Sequence, residues 1–146
     1  MDKPILLPML VLAGWTMIVW AWMYATRLPA MARAGIDGTK IIGGTGTSLR
    51  DKLMASGEER ASWVADNYNH LMEQPTIFYA TALALALLGE AGSLAVILAW
   101  AYAGLRVVHS LVQILSNRVL VRFAVFALAS LCLVGLVIIG LLAAAG

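Results

Sequence analysis

The chain has 146 residues, of which 62% are hydrophobic and only 12% are charged. Soluble domains average about 45–50% apolar and about 25% charged residues, so the composition excludes an ordinary soluble domain and indicates a membrane protein. The length leaves room for about four spans of ~20 residues and excludes a large transporter. The net charge of +2 is too small to indicate nucleic-acid binding, and the single cysteine, Cys132, excludes a disulfide framework within the chain.

Four apolar runs predict an all-α bundle of four transmembrane helices, in a single domain over residues 1–146. The predicted helices cover about 4–26, 57–88, 93–115 and 119–145. The first run could also be a cleaved signal peptide. However, it is longer than the 7–15 residues of a signal-peptide core and lacks a strongly basic start, so we predict a retained helix. The second helix is polar in its first turns and apolar from Leu71 onward.

The connection over residues 27–56 is polar and rich in glycine. Residues 43–48 read GGTGTS, which superficially resembles a phosphate-binding loop. That motif ends in Gly-Lys-Ser or Gly-Lys-Thr and follows a strand, and this segment has neither feature. We therefore interpret residues 27–56 as a mobile connecting loop.

The basic residues predict the orientation in the membrane. Eight of the ten lie in the first and third connections, whereas the second connection carries only Glu90. The eight basic residues are Arg27, Arg33, Lys40, Arg50, Lys52 and Arg60 in the first connection, and Arg118 and Arg122 in the third. Because positively charged connections stay in the cytoplasm, we predict that both of these connections are cytoplasmic and that both termini lie on the other side.

Polar side chains cluster in the second and third spans. Ionisable groups at membrane depth cost roughly 2.5–3.5 kcal/mol each on insertion scales and indicate a functional site by default. One cluster lies near the predicted cytoplasmic end of the second span and comprises Asp66, Asn69, His70 and Glu73. The other lies near the predicted cytoplasmic end of the third span and comprises Arg106, His109 and Gln113. Asp66 lies near the helix start, which is typical of a solvated first-turn carboxylate.

Arg106 needs a partner, because it lies roughly 12 Å of helical rise before the third span ends, too deep for snorkelling alone to hydrate it. Glu73 is the only acidic residue at a compatible depth in another span. One interpretation is a buried ion pair that fixes helix packing. The other is a pocket for a charged ligand, which the neighbouring His70, His109 and Arg122 favour. A metal site is less favoured, because no helix carries a His-x-x-x-His or Glu-x-x-His pair, and we predict none.

These residues resemble the membrane-associated proteins in eicosanoid and glutathione metabolism, the MAPEG family. The similarity is to a bacterial-type member related to microsomal glutathione transferase and prostaglandin E synthase. Its sharpest part is YAGLRVVHS over residues 102–110, followed by Asn117-Arg118 and Arg122-Phe123. The sequence HLMEQPTIFY over residues 70–79 is similar to the family's second-helix segment, where Asn-x-x-Glu precedes Pro and Phe.

The resemblance implies a homotrimer in a bacterial inner membrane, with glutathione sites between neighbouring subunits at the cytoplasmic side. Glu73 then binds the amino end of glutathione, and Arg122 is the catalytic residue, because a guanidinium near the sulfur stabilises the reactive thiolate. The other implied glutathione-binding residues are His70, Asn69, Arg106, His109, Gln113 and Arg118. Glutathione enters from the cytoplasm as co-substrate, and a hydrophobic substrate arrives from the membrane lipids.

Three positions depart from the family pattern. His70 stands where Asn is usual, Gln113 stands where several members carry Tyr, and Phe123 replaces the Ser of the prostaglandin synthase, which argues against that isomerase. Two functions therefore remain open. The first, which we favour, is a glutathione-dependent transferase or peroxidase acting on lipophilic electrophiles. The second is a non-catalytic lipid-binding or accessory subunit. The uncharged first helix disfavours a third reading, a proton-coupled exporter that uses Glu73.

Overall fold

Four apolar helical spans dominate the structure, a computed structural model that describes residues 3–146. Within those residues the regular structure is helical and includes no strand. The α-helices are α1 (Leu6–Arg33), α2 (Gly46–Ala55), α3 (Glu59–Leu71), α4 (Gln74–Leu88), α5 (Ser93–Leu115) and α6 (Val119–Ala145). The segments long and apolar enough to cross a membrane are Leu6–Arg33, Glu59–Leu88, Ser93–Leu115 and Val119–Ala145. The predicted all-α bundle with four transmembrane helices is confirmed.

The first helix is longer than the sequence predicts, because it continues beyond residue 26 through residues 27–33. Ala30 is fully buried in this extension and packs with Leu53 and Ala61 in a small second core. Tertiary packing supplies most helical stability in proteins. The contact therefore explains why the helix continues where hydropathy predicts a loop.

The glycine-rich segment contains the start of a helix, which differs from the predicted loop over residues 27–56. Thr45 caps α2, since its side-chain oxygen accepts a hydrogen bond from the Ser48 N–H at 3.2 Å. The Ser48 hydroxyl oxygen accepts in return from the Thr45 N–H at 3.1 Å. This capping box satisfies two backbone donors at the helix start. Residues 45–48 of the GGTGTS segment thus have a structural explanation in helix capping.

A bidentate ion pair joins the end of α1 to the start of α3. Arg33 donates from Nε to Glu58 Oε1 at 2.6 Å and from Nη2 to Oε2 at 2.9 Å. The hydrogen bond from Arg33 holds the pKa of the Glu58 carboxyl below its usual value. This pair links the last residue of α1 to the residue that precedes α3.

The second span is broken at Glu73. Helix α3 ends at Leu71, α4 begins at Gln74, and Pro75 occupies the first turn of α4. Proline lacks an N–H and its ring clashes with the carbonyl four residues earlier, which here belongs to Leu71. The exposed Glu73 lies at the junction with φ −89° and ψ −99°, so the predicted continuous helix over 57–88 is two helices.

The bundle places α5 at its centre. Helix α5 packs along α6 and also contacts α1 and α3, while α4 packs against α6 and α1. The buried residues of these faces include Leu12, Val19, Phe78, Ala99 and Leu136. Large apolar side chains on the outer face of α6, such as Leu131 and Leu142, are exposed, as contact with lipid requires.

Candidate functional site

A small cavity of about 210 Å³ lies where α3, α5 and α6 meet, close to the turn between α5 and α6. Its walls are His70, His109, Val119, Arg122, Phe123 and Phe126. The structure therefore brings together three of the predicted site residues, His70, His109 and Arg122. The remaining walls are apolar, so the cavity combines a cationic group with a hydrophobic surface.

Aromatic rings form one side of this cavity. The centroids of the His70 and His109 rings are 5.0 Å apart, and Phe126 lies 5.5 Å from His70 and 6.2 Å from His109. His109 is buried, whereas His70 is partly accessible. The three rings therefore pack close together along this side of the cavity.

Glu73 pairs with His70. Nδ1 of His70 lies 2.9 Å from Oε2 of Glu73, and the Glu73 side chain is 66% exposed. A hydrogen bond from the Nδ1–H of His70 to this carboxylate orients the imidazole ring. The predicted pairing of Glu73 with Arg106 is therefore wrong within this chain, because the break before Pro75 turns the carboxylate outward.

Arg106 is completely buried and has no carboxylate partner among the described residues. Its Nη2 donates to the backbone oxygen of His70 at 2.8 Å, and its Cζ lies 5.7 Å from the centroid of the Phe126 ring. Nε and Nη1 have no hydrogen-bond partner within the described chain. The C-terminal end of α3 and the aromatic face offset part of the charge. A buried guanidinium with two unpaired donors still favours an added anion or water.

Arg122 is anchored at the start of α6. Its Nη1 donates a hydrogen bond to Oδ1 of Asn117, and its Nε is shielded without a partner in residues 3–146. The guanidinium is half-buried and forms part of the cavity wall. Arg122 thus presents a positive charge at the cavity wall, and a cation beside a thiol lowers the pKa of that thiol.

A second polar contact joins α3 to α5 beside the cavity. Asn67 donates from Nδ2 to the Ser110 hydroxyl, and both residues are buried. Gln113 is also buried on this face of α5, but it is not a wall of the cavity. Neither Asn67 nor Ser110 is among the site residues predicted from the sequence. Their spacing could have indicated them, since Asn67 precedes His70 by one turn and Ser110 follows Arg106 by one turn.

A third polar contact links α4, α5 and α6, and its residues are likewise not among those predicted from the sequence. Tyr102 donates from its hydroxyl to Oε1 of Gln74 at 3.3 Å, and Gln74 donates from Nε2 to the Ser130 hydroxyl at 2.8 Å. The Tyr102 ring lies 4.5 Å from that of Phe78. Tyr102 belongs to the same stripe of α5 as Arg106, so the polar face continues toward the middle of the span.

Two further predicted residues, Asn69 and Arg118, also lie outside the cavity. Asn69 is exposed and lines a separate polar cavity of about 290 Å³ together with Arg27, Arg50 and Asp66. Asp66 pairs there with Arg50 at 3.3 Å. Arg118 is exposed as the residue that precedes α6. In the part of the chain that the structure describes, no group of three His, Cys, Asp or Glu side chains could hold a metal ion.

The comparisons with known proteins give one match. The model of the MAPEG family matches residues 5–142 of the chain, a range that includes nearly all of the four spans and every residue of the cavity. No curated protein and no solved structure matches the chain.

Proposed function

The chain belongs to the MAPEG family, and on that premise we propose that it is a membrane-bound, glutathione-dependent transferase or peroxidase acting on lipophilic electrophiles. The family and the four spans make it an integral multi-pass membrane protein with a glutathione-related function. The proposal adds a homotrimer in a bacterial inner membrane, with both termini on the non-cytoplasmic side.

The observation that carries the proposal is the excess of positive charge around the cavity. Arg106 is fully buried without a carboxylate partner in the described chain, Arg122 lies at the cavity wall, and the Glu73 carboxylate pairs with His70. One fully buried and one half-buried guanidinium together attract an anionic ligand. Glutathione has two carboxylates, an amino group and a thiol. In this proposal Arg106 binds a carboxylate, Glu73 binds the amino group, and Arg122 lies beside the thiol.

The chemistry follows from Arg122. A free thiol has a pKa near about 8.5, and a guanidinium beside it increases the thiolate fraction. The thiolate sulfur attacks the electrophilic carbon of a substrate that the apolar walls Val119, Phe123 and Phe126 hold. A carbon–sulfur bond forms, the leaving group departs with its electron pair, and the thiol proton is released to water.

The size of the cavity supports the homotrimer. Pockets for small ligands measure roughly 300–1,000 Å³, whereas the cavity of one chain measures about 210 Å³. A neighbouring copy that covers the open side would enlarge and close the site. Asn69 and Arg118 are exposed and do not line the cavity of their own chain. We keep both in the proposed glutathione site, because each could reach the cavity of a neighbouring copy.

A conjugation assay with glutathione and a generic aryl halide tests the function on the purified full-length protein in detergent micelles. We expect Arg122→Ala to lower kcat/KM by about a hundredfold or more, as removal of a charge-stabilising donor does. Arg60→Ala removes an exposed arginine that stands outside the site and should keep full activity. Equal turnover of Arg122→Ala and the unsubstituted protein, or no turnover at all, contradicts the proposal.

The second candidate function is a non-catalytic lipid-binding or accessory subunit. Gln113 favours it, because the buried amide supplies no phenol where several family members carry Tyr, and its Oε1 has no partner in residues 3–146. A bound ligand stabilises a protein by about 2.7 kcal/mol at a concentration of 100 Kd. A saturable rise in Tm with glutathione therefore supports the enzyme, and an unchanged Tm supports the accessory subunit.

A further inference from the structure

Asn117 holds Arg122 at the cavity, and we propose that it is the positioning residue for the catalytic guanidinium. The inference rests on the proposed function, because the thiolate beside Arg122 belongs to that function. It concerns the turn between α5 and α6, whose residues Ser116 and Asn117 join the two helices.

The backbone of this turn does not by itself require asparagine. Asn117 has φ +49°, the one positive φ of a non-glycine residue among those described. Its N–H donates to the Val112 oxygen at 2.8 Å and so closes the end of α5. Asparagine adopts this left-handed conformation more readily than most residues, and glycine adopts it freely. Glycine would therefore serve the turn equally well.

The side chain gives asparagine a second role. Its Oδ1 accepts the hydrogen bond from Nη1 of Arg122 across the first turn of α6. A guanidinium is planar, so one fixed nitrogen restricts the direction in which the others point. The neighbouring groups, His70 from α3 and His109 from α5, are imidazoles, and neither supplies a carboxylate to orient Arg122.

A neutral amide also leaves the charge of Arg122 intact. An aspartate at residue 117 would orient the guanidinium as well, but its carboxylate would attract the same charge that the thiolate needs. Asparagine therefore combines the left-handed backbone, a strong acceptor and no competing charge. Glycine and aspartate each lack one of these properties, which makes them the informative substitutions.

The test uses Asn117→Gly, Asn117→Asp and the neighbouring control Ser116→Ala. The Ser116 hydroxyl donates a hydrogen bond to the Val112 oxygen at 3.1 Å, so this control changes the turn and leaves the hydrogen bond between Asn117 and Arg122 in place. The readouts are kcat, KM and the pKa of bound glutathione, followed by the ultraviolet absorbance of its thiolate. Because a charge-assisted hydrogen bond is lost, we expect Asn117→Gly to lower kcat about tenfold and to raise the thiol pKa, with KM nearly unchanged. Asn117→Asp should raise the thiol pKa further, and Ser116→Ala should match the unsubstituted protein.

A thiol pKa and kcat that stay unchanged in Asn117→Gly would overturn the proposal and leave Asn117 as a turn residue alone. A double-mutant cycle of thermal unfolding with Asn117→Gly and Arg122→Gln tests the contact without glutathione. Non-additive changes in Tm support the contact, and additive changes overturn it. If the unsubstituted protein forms no glutathione thiolate, the proposed function fails, whereas the cycle still decides whether Asn117 holds Arg122.

Discussion

Arg106 donates a hydrogen bond to the backbone oxygen of His70 at 2.8 Å, so its guanidinium lies at the C-terminal end of α3 and not on a carboxylate. The carbonyls that end a helix carry partial negative charge, which favours a cation there. This contact satisfies one nitrogen of a group that is otherwise unpaired within the described chain. The proposed function assigns the remaining Nε and Nη1 donors to the anionic ligand.

The first prediction concerns the charge of Arg106. Replacing buried ionic groups with apolar residues of similar volume is often neutral or stabilising by about 1–4 kcal/mol. We therefore expect Arg106→Met to keep or raise the Tm of the ligand-free protein and to abolish the rise in Tm caused by glutathione. Thermal unfolding with and without glutathione measures both effects. A large loss of Tm without glutathione would instead assign Arg106 a purely structural role.

The second prediction concerns the carboxylate of Glu73. In Glu73→Gln the amide can still accept a hydrogen bond from His70, but it no longer attracts the amino group of glutathione. We expect the Kd of glutathione to rise about tenfold, the loss typical of one charged hydrogen bond. Calorimetric titration of the purified protein measures this change. Glu90→Gln, which changes a carboxylate in the distant α4–α5 connection, should bind glutathione normally, and an unchanged Kd in Glu73→Gln would contradict the assignment.

The sequence predicts the spans and the polar stripe well, because hydropathy and the 3.6-residue period are local properties. It fails where a break changes the direction of the chain. The expected pairing of Glu73 with Arg106 assumes an uninterrupted helix, whereas the span breaks before Pro75 and Glu73 pairs with His70. Asn69 and His70 are adjacent in sequence, but neighbouring residues point about 100° apart around a helix. They consequently line different cavities.

The third prediction concerns the contact between Phe78 of α4 and Tyr102 of α5. Phe78 is fully buried, and the centroid of its ring lies 4.5 Å from that of Tyr102. The Tyr102 hydroxyl also donates a hydrogen bond to Gln74. Phe78→Ala leaves a cavity at this contact, and such changes destabilise proteins by about 3–5 kcal/mol. We expect a clear fall in Tm, measured by thermal unfolding in detergent. Ile77→Ala removes an exposed side chain of the same helix and should have a much smaller effect, and equal effects of the two would contradict the packing.

The fourth prediction concerns pH and the ion pair between Arg33 and Glu58. The pair holds the pKa of Glu58 below its ordinary value of 4.5 in the folded protein. The folded state therefore binds a proton at Glu58 less readily than the unfolded state does. The ion pair consequently contributes to stability above pH 4.5, and this contribution is lost as the pH falls through the lower pKa of the folded state. We expect Glu58→Gln to have a lower Tm than the unsubstituted protein at pH 7, with the difference disappearing in more acidic solution.

Thermal unfolding over a series of acidic pH values, at low and high salt, measures this difference. Both side chains are partly solvent-exposed, so salt should reduce the effect by screening. Asp51→Asn removes another carboxylate of the same connection, one that forms no ion pair with a described residue. That control should show no comparable pH dependence relative to the unsubstituted protein. A Tm difference for Glu58→Gln that stays constant from neutral to acidic pH would show that the ion pair does not stabilise the return of the chain into α3.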